Sequence, residues 1–125
     1  MNNNQIVLKI IRNNRKPLSA YDILDKFQRI KKIQPMTVYR ALSVLENQGY
    51  IHKSFYHNSY VLCKNSHTED EITTLTVCKN CGDIEENVTN KNKMALVLNV
   101  LDLKKFSSEN LDSIEIPSFC NNCTK

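Results

Sequence analysis

Four of the five cysteines stand in two identical spacings, Cys78-Lys79-Asn80-Cys81 and Cys120-Asn121-Asn122-Cys123. A C-x2-C pair brings two thiolates to one metal, and two such pairs supply the four sulfurs that tetrahedral zinc prefers. The chain between residues 81 and 120 would then be a loop closed at its base, too long for a small zinc finger and closer to a miniature domain. This spacing points to a structural zinc. A thioredoxin-like redox motif is the rival for one pair, but it explains neither the second pair nor the lack of a strand–motif–helix context around the first.

The elements that must position these sulfurs are readable in outline. Ile72 to Val77 is rich in β-branched residues and runs into Cys78, and a turn at Cys81-Gly82 leads into Asp83-Ile84-Glu85-Glu86, which places the first pair at a hairpin tip. Asn92 to Phe106 reads as a helix with two apolar stripes, Met94, Val97, Leu98 and Leu101 on one side and Leu96, Val100 and Leu103 on the other. One stripe needs the small sheet as cover and the other a second subunit. Leu111 to Ile116 reads as the last strand, delivering the chain to Pro117 and the second cysteine pair.

The N-terminal half has a different character. Residues 1–57 carry ten Lys/Arg against three Asp/Glu, whereas 58–125 carry seven against ten. A basic excess confined to one half is a footprint of nucleic-acid binding, although a solvated basic face gives the same count. A short helix is expected over about 4–13. A second begins at Ser19 as N-cap, with Tyr21, Ile23, Leu24, Phe27 and Ile30 as its apolar residues. After Pro35, the spacing of Val38, Ala41, Leu42 and Leu45 predicts a third helix closed by Gly49. Its other face carries Thr37, Tyr39, Arg40, Ser43, Glu46 and Asn47, which suits a DNA groove and also describes an ordinary solvated helix face. Tyr50–Ser54 and Ser59–Cys63 then form a hairpin. Three helices and a hairpin in a basic segment make a winged helix-turn-helix. The fold class expected is therefore mixed α and β: a winged helix over 1–63, a polar hinge over 64–71, and a small α/β dimerisation and metal-binding domain over 72–125.

No segment matches a secretion signal or a membrane span, so a cytosolic protein is expected. In a reducing cytosol the cysteine pattern favours metal over disulfides.

The string Pro35-Met36-Thr37-Val38-Tyr39-Arg40-Ala41-Leu42, followed by Leu45, Glu46 and Gln48-Gly49-Tyr50-Ile51-His52-Lys53, resembles the ferric uptake regulator family. Ser19-Ala20-Tyr21-Asp22-Ile23-Leu24 and Asn58-Ser59-Tyr60-Val61-Leu62-Cys63 resemble its zinc uptake regulator branch. Val77-Cys78-Lys79-Asn80-Cys81-Gly82, then Ile84-Glu85-Glu86, then Glu115-Ile116 before Cys120 and Cys123, is similar to the family's dimerisation domain. The resemblance spans nearly the whole chain. It implies a homodimeric, metal-dependent repressor that binds palindromic operator DNA when its metal is present. It places Thr37, Tyr39 and Arg40 at DNA-reading positions, and Cys78, Cys81, Cys120 and Cys123 at a structural zinc. His52, Cys63, Glu86 and a hinge histidine are placed at a sensory site. His67 is the only histidine in the hinge, and Glu71, standing where the branch pattern has its histidine, is the substitute. Family members usually begin with an extra helix and basic segment ahead of the position matched by Asn4. Either a weaker affinity for DNA is therefore expected, or contacts that rest more on the wing and on Arg12, Arg15 and Lys16.

The sensory set also stands on its own chemistry. His52 on one strand, Cys63 on its hairpin partner, His67 in the hinge and Glu86 beyond it make a site shared between two domains, so a metal bound there fixes their relative angle. Taken singly, each has an ordinary structural role open to it. A mixed N/S/O site containing cysteine suits zinc better than ferrous iron, leaving iron or peroxide sensing as the alternative. A zinc enzyme would need an open coordination position and a general base. Glu86 can be cast as that base, but no Gly-rich pocket signal accompanies it in a chain with two glycines.

Overall fold

Helix α1 (Asn3–Arg12) starts with a reciprocal cap: the Asn2 side chain accepts the Gln5 amide while the Gln5 side chain accepts the Asn2 amide. The computed structural model describes residues 1–64, 70–107 and 110–124. Ile6, Val7, Ile10 and Ile11 form the buried side of α1. Strand β1 (Leu18–Ser19) leads directly into α2 (Ala20–Gln28), where the Ser19 hydroxyl accepts the Asp22 amide at 3.1 Å. Ile23 and Phe27 are fully buried, but Tyr21 and Ile30 are 75% and 61% exposed. Ile30 lies beyond the end of α2, and Tyr21 sits on its outer side. Neither belongs to the apolar stripe expected from the sequence.

Helix α3 (Pro35–Asn47) has Pro35 in its first turn, where a missing N–H costs nothing, and buries Val38, Ala41, Leu42 and Leu45. Its C-terminus is closed by two bonds, Gly49 N–H to Glu46 O and Tyr50 N–H to Leu45 O, both 3.0 Å. That pairing requires a left-handed residue at position 49, and Gly49 has φ +81°. Strands β2 (Ile51–Ser54) and β3 (Ser59–Leu62) form the hairpin, with Ile51 opposite Leu62 and Ser54 opposite Ser59. β1 pairs with the other edge of β3, giving the order β1-β3-β2. Ile51, Leu18 and Tyr60 join the residues buried by the three helices in one core, which makes this half a winged helix.

The second sheet has the order β5-β4-β6. Its central strand β4 (Glu71–Cys78) buries Ile72, Leu75 and Val77, pairs antiparallel with β5 (Ile84–Asn90), and pairs parallel with β6 (Ser113–Ser118). Parallel neighbours need a crossover, and α4 (Lys91–Leu101) lies within it. Boundaries differ from the sequence expectation most at the end of α4 and in the last strand, which begins at Ser113 and not Leu111. The helix stops at Leu101, not Phe106, because Asp102 takes a left-handed conformation with φ +49°. The last strand runs through Pro117 to Ser118, since an edge strand can hold a residue with no N–H to donate. Among the described residues, no helix is long and apolar enough to cross a membrane.

Candidate metal centres and nucleic-acid interface

The parallel pairing of β4 and β6 explains why two cysteine pairs far apart in sequence meet. Cys78 sits opposite Ser118, so both strands deliver the chain to the same end of the sheet. One sulfur from each of Cys78, Cys81, Cys120 and Cys123 lies within 4.8 Å of the others. The Cys81–Cys120 separation of 3.8 Å is the edge of a tetrahedron with Zn–S bonds of about 2.3 Å, and it is far longer than a disulfide. The backbone prepares the site for thiolates. Amide hydrogen bonds from Cys81 and then Cys120 hold the Cys78 thiol down at about 5, outweighing the opposing effect of burial, with smaller help from the Asn80 amide and the Cys81 side chain. The Asn80 side-chain amide lies 3.4 Å from Cys123 Sγ, and Gly82, at φ +80°, turns the chain into β5. The donor set fits zinc. Convergence of both pairs also removes the reading of the first pair as an isolated redox motif.

The second cluster joins the two halves. His52 lies on β2. Cys63, just past β3, still donates its amide to Tyr50 O at 2.9 Å, which puts its side chain diagonal to His52 on one face of the hairpin. Glu86 comes from β5, opposite Leu75. One ligating atom from each of the three lies within 4.8 Å of the others. His52 Nε2 is 3.1 Å from Glu86 Oε1, and Cys63 Sγ is 3.9 Å from Glu86 Oε2. The Glu86 side chain is only 5% exposed and that of His52 19%. A carboxylate buried this far against an imidazole and a thiol has the surroundings of a ligand, because burying a charge is costly unless it is paired or bound to a metal. The donors present fit zinc with one position left for a further ligand. Of the two sequence candidates for that position, His67 lies outside the described residues. Glu71 is not among the residues that meet here: it stands four residues along β4 from the rung of Glu86, about 13 Å away.

On α3, Tyr39, Arg40, Ser43, Glu46 and Asn47 are exposed and Thr37 is half-buried, so this face is available to a ligand. Arg12, in the last turn of α1, and Arg15 are also exposed. Lys16 is turned elsewhere: its Nζ lies 3.9 Å from Asp83 Oδ2 and 3.9 Å from Cys81 Sγ, against the second half of the chain.

The sequence assigned no role to two residues that meet where the tip of the wing touches the second sheet. Glu115 on β6 accepts the Ser54 hydroxyl and the amides of Phe55 (3.0 Å) and Tyr56 (3.1 Å), and His57 Nε2 is 2.8 Å from Cys78 O. Burial alone would raise the Glu115 carboxyl. The Ser54 hydroxyl, the two amides and the nearby His57 outweigh it and hold the carboxyl below its ordinary range. These partners are some 60 positions apart in sequence, and no periodicity links them.

The ferric uptake regulator family model matches residues 2–111. The zinc uptake regulation protein of Escherichia coli (strain K12) is 37% identical over 81 residues, covering 64% of this chain and 47% of that protein, so the match spans about half the length of the curated relative. Among solved structures, a zinc uptake regulator complexed with zinc and DNA superposes with a TM-score of 0.77 at 28% identity, covering 98% of this chain and 81% of that one. Holo XcZur superposes with a TM-score of 0.73 at 23% identity, covering 98% and 84%, which shows a shared fold. With the family model matched over residues 2–111, most of the chain's length, the chain belongs to the ferric uptake regulator family.

Proposed function

We propose that the protein is a zinc-responsive transcriptional repressor of the cytoplasm, acting by binding and not by catalysis, that holds operator DNA as a homodimer when its sensory site is loaded. The observation that carries this reading is the convergence of His52 and Cys63 from the wing with Glu86 from the second sheet. Two similar proteins support it: one is named a zinc uptake regulation protein, and the other is a zinc uptake regulator complexed with zinc and DNA. We read residues 1–63 as the DNA-binding domain, 64–71 as the hinge and 72–125 as the dimerisation and metal-binding domain. Cys78, Cys81, Cys120 and Cys123 hold a structural zinc. His52, Cys63 and Glu86 hold the regulatory one, with His67 as the fourth ligand.

Zinc supplies a coordination centre that joins imidazole, thiolate and carboxylate. The chain's own residues provide the coupling: two donors move with the wing and one with β5, so their distances are right only for one angle between the halves. A ligand shifts an equilibrium only by its differential affinity for the two states, and a site completed at one angle has that differential. At that angle Thr37, Tyr39 and Arg40 are presented to base edges and phosphates, with Arg12 and Arg15 adding charge. Leu96 and Val100 on α4 are 77% and 82% exposed, beside exposed Val97 and Leu101, an apolar face that suits a second subunit.

The test is a metal titration of DNA binding, using duplexes selected by the zinc-loaded protein from a randomised pool. Binding that rises with zinc and not with ferrous iron supports the reading. Equal or better response to iron points to the iron-sensing relatives, and binding indifferent to metal rejects it.

A further inference from the structure

Glu86 and Glu115 occupy one rung of the second sheet. Each is the direct neighbour of Leu75, Glu86 on β5 and Glu115 on β6, so both side chains leave the same face. That face meets the wing. Glu86 reaches His52 and Cys63, while Glu115 reaches the tip through Ser54, Phe55 and Tyr56. His52 and Ser54 are two residues apart on β2, about 7 Å, and point the same way. One contact between two bodies leaves rotation about it free in every direction, whereas two contacts side by side leave only a hinge about the line that joins them. The Glu115 contact uses no metal donor. Its acceptor is a carboxylate taking a hydroxyl and two backbone N–H groups, the strong, charge-assisted kind of hydrogen bond.

We propose that Glu115 is a positioning residue for DNA binding: it docks the tip of the wing on β6 and thereby sets the angle at which α3 meets DNA, leaving the regulatory metal to secure the base of the wing. This rests on the repressor reading given above. It assigns a division of labour along one rung, with Glu86 switchable by metal and Glu115 constitutive. A mutation at Glu115 should therefore weaken DNA binding even at saturating zinc, which a loss of metal affinity alone would not do.

The experiment compares wild type with Glu115→Gln in the full chain, loaded with zinc. Gln keeps the size of the side chain and one accepting oxygen, but presents an NH2 group where a second oxygen was. Two readings are taken: hydrogen exchange at the Phe55 and Tyr56 amides, and affinity for duplexes selected from a randomised pool by the wild-type protein with zinc. The expected result is faster exchange at one or both amides and about tenfold weaker DNA binding at saturating zinc, with zinc content unchanged. Ser54→Ala removes one donor and serves if Glu115→Gln misfolds. It should give a smaller loss, and one not additive with Glu115→Gln where both fold. Unprotected amides in wild type would overturn the docking. Faster exchange with unaltered DNA affinity would overturn the positioning role. A wild-type protein that binds no duplex at any zinc level would reject the repressor reading and the DNA role with it, while the amide data would still decide whether the wing is docked.

Discussion

Replacing Glu86 by Gln separates two explanations of the same contact. The side chain is 5% exposed, with Oε1 3.1 Å from His52 Nε2 and Oε2 3.9 Å from Cys63 Sγ. If Glu86 serves as the salt-bridge partner of a protonated His52, removing its charge breaks a buried pair, which costs about 3–5 kcal/mol. If it serves as a metal ligand, Gln keeps the shape and an oxygen beside His52, and it removes a charge that was expensive to bury. The two changes nearly cancel, leaving about 1 kcal/mol or less in protein whose regulatory site is empty. The zinc-loaded site loses an anionic donor, and its affinity should fall by at least about 100-fold, the upper end of what outer-shell losses cost. Chelator competition for the second zinc, with thermal unfolding of protein carrying only the structural zinc, reads both quantities. The expected result is the affinity loss with a melting shift within about 4 °C. A large drop in melting temperature with zinc affinity unaltered would refute it, because the carboxylate would then be a structural ion-pair partner.

Three other outcomes follow from the same geometry. Stripping the Cys78, Cys81, Cys120 and Cys123 site should unfold the second sheet, since structural zinc binding is worth about 10–16 kcal/mol against a typical net domain stability of about 5–15 kcal/mol; circular dichroism during graded chelation should show this step after the loss of DNA binding. Gly49→Ala should cost about 1 kcal/mol in thermal unfolding, because φ is +81° while no atom lies within 4 Å of the added carbon, so the cost is backbone strain and not a clash. The Glu115 carboxyl lies below its ordinary 4.5, so its docking contribution is present above that value and lost as pH falls through the lowered folded value. The Phe55 and Tyr56 amide shifts should follow that titration in wild type and lose it in Glu115→Gln.

What the sequence made legible was whatever repeats locally. Val38, Ala41, Leu42 and Leu45 announce a helix by spacing, and the four cysteines announce a metal by theirs. Two-residue β1 carries no periodic signal, and it is a strand only because β3 offers an edge. The apolar residues Leu103 and Phe106 extend the stripe of α4 in sequence, but one left-handed residue, Asp102, ends the helix first. Long-range polar contacts were the least legible. Lys16 reads as another basic residue of a DNA-binding half until its ammonium is found facing Asp83 and Cys81. Glu115 was visible only as part of a familiar string, because its partners are a hydroxyl and two backbone amides about 60 residues away.

Zinc control of DNA binding requires a second metal site, distinct from the four-cysteine centre, that spans the two halves. Zinc per subunit, measured in wild type and in Cys63→Ser after removal of loosely held metal, tests it most directly. Two are expected in wild type and one in the variant, with the fold retained. An unchanged count in Cys63→Ser would contradict it, as would a wild-type protein that holds only the structural zinc.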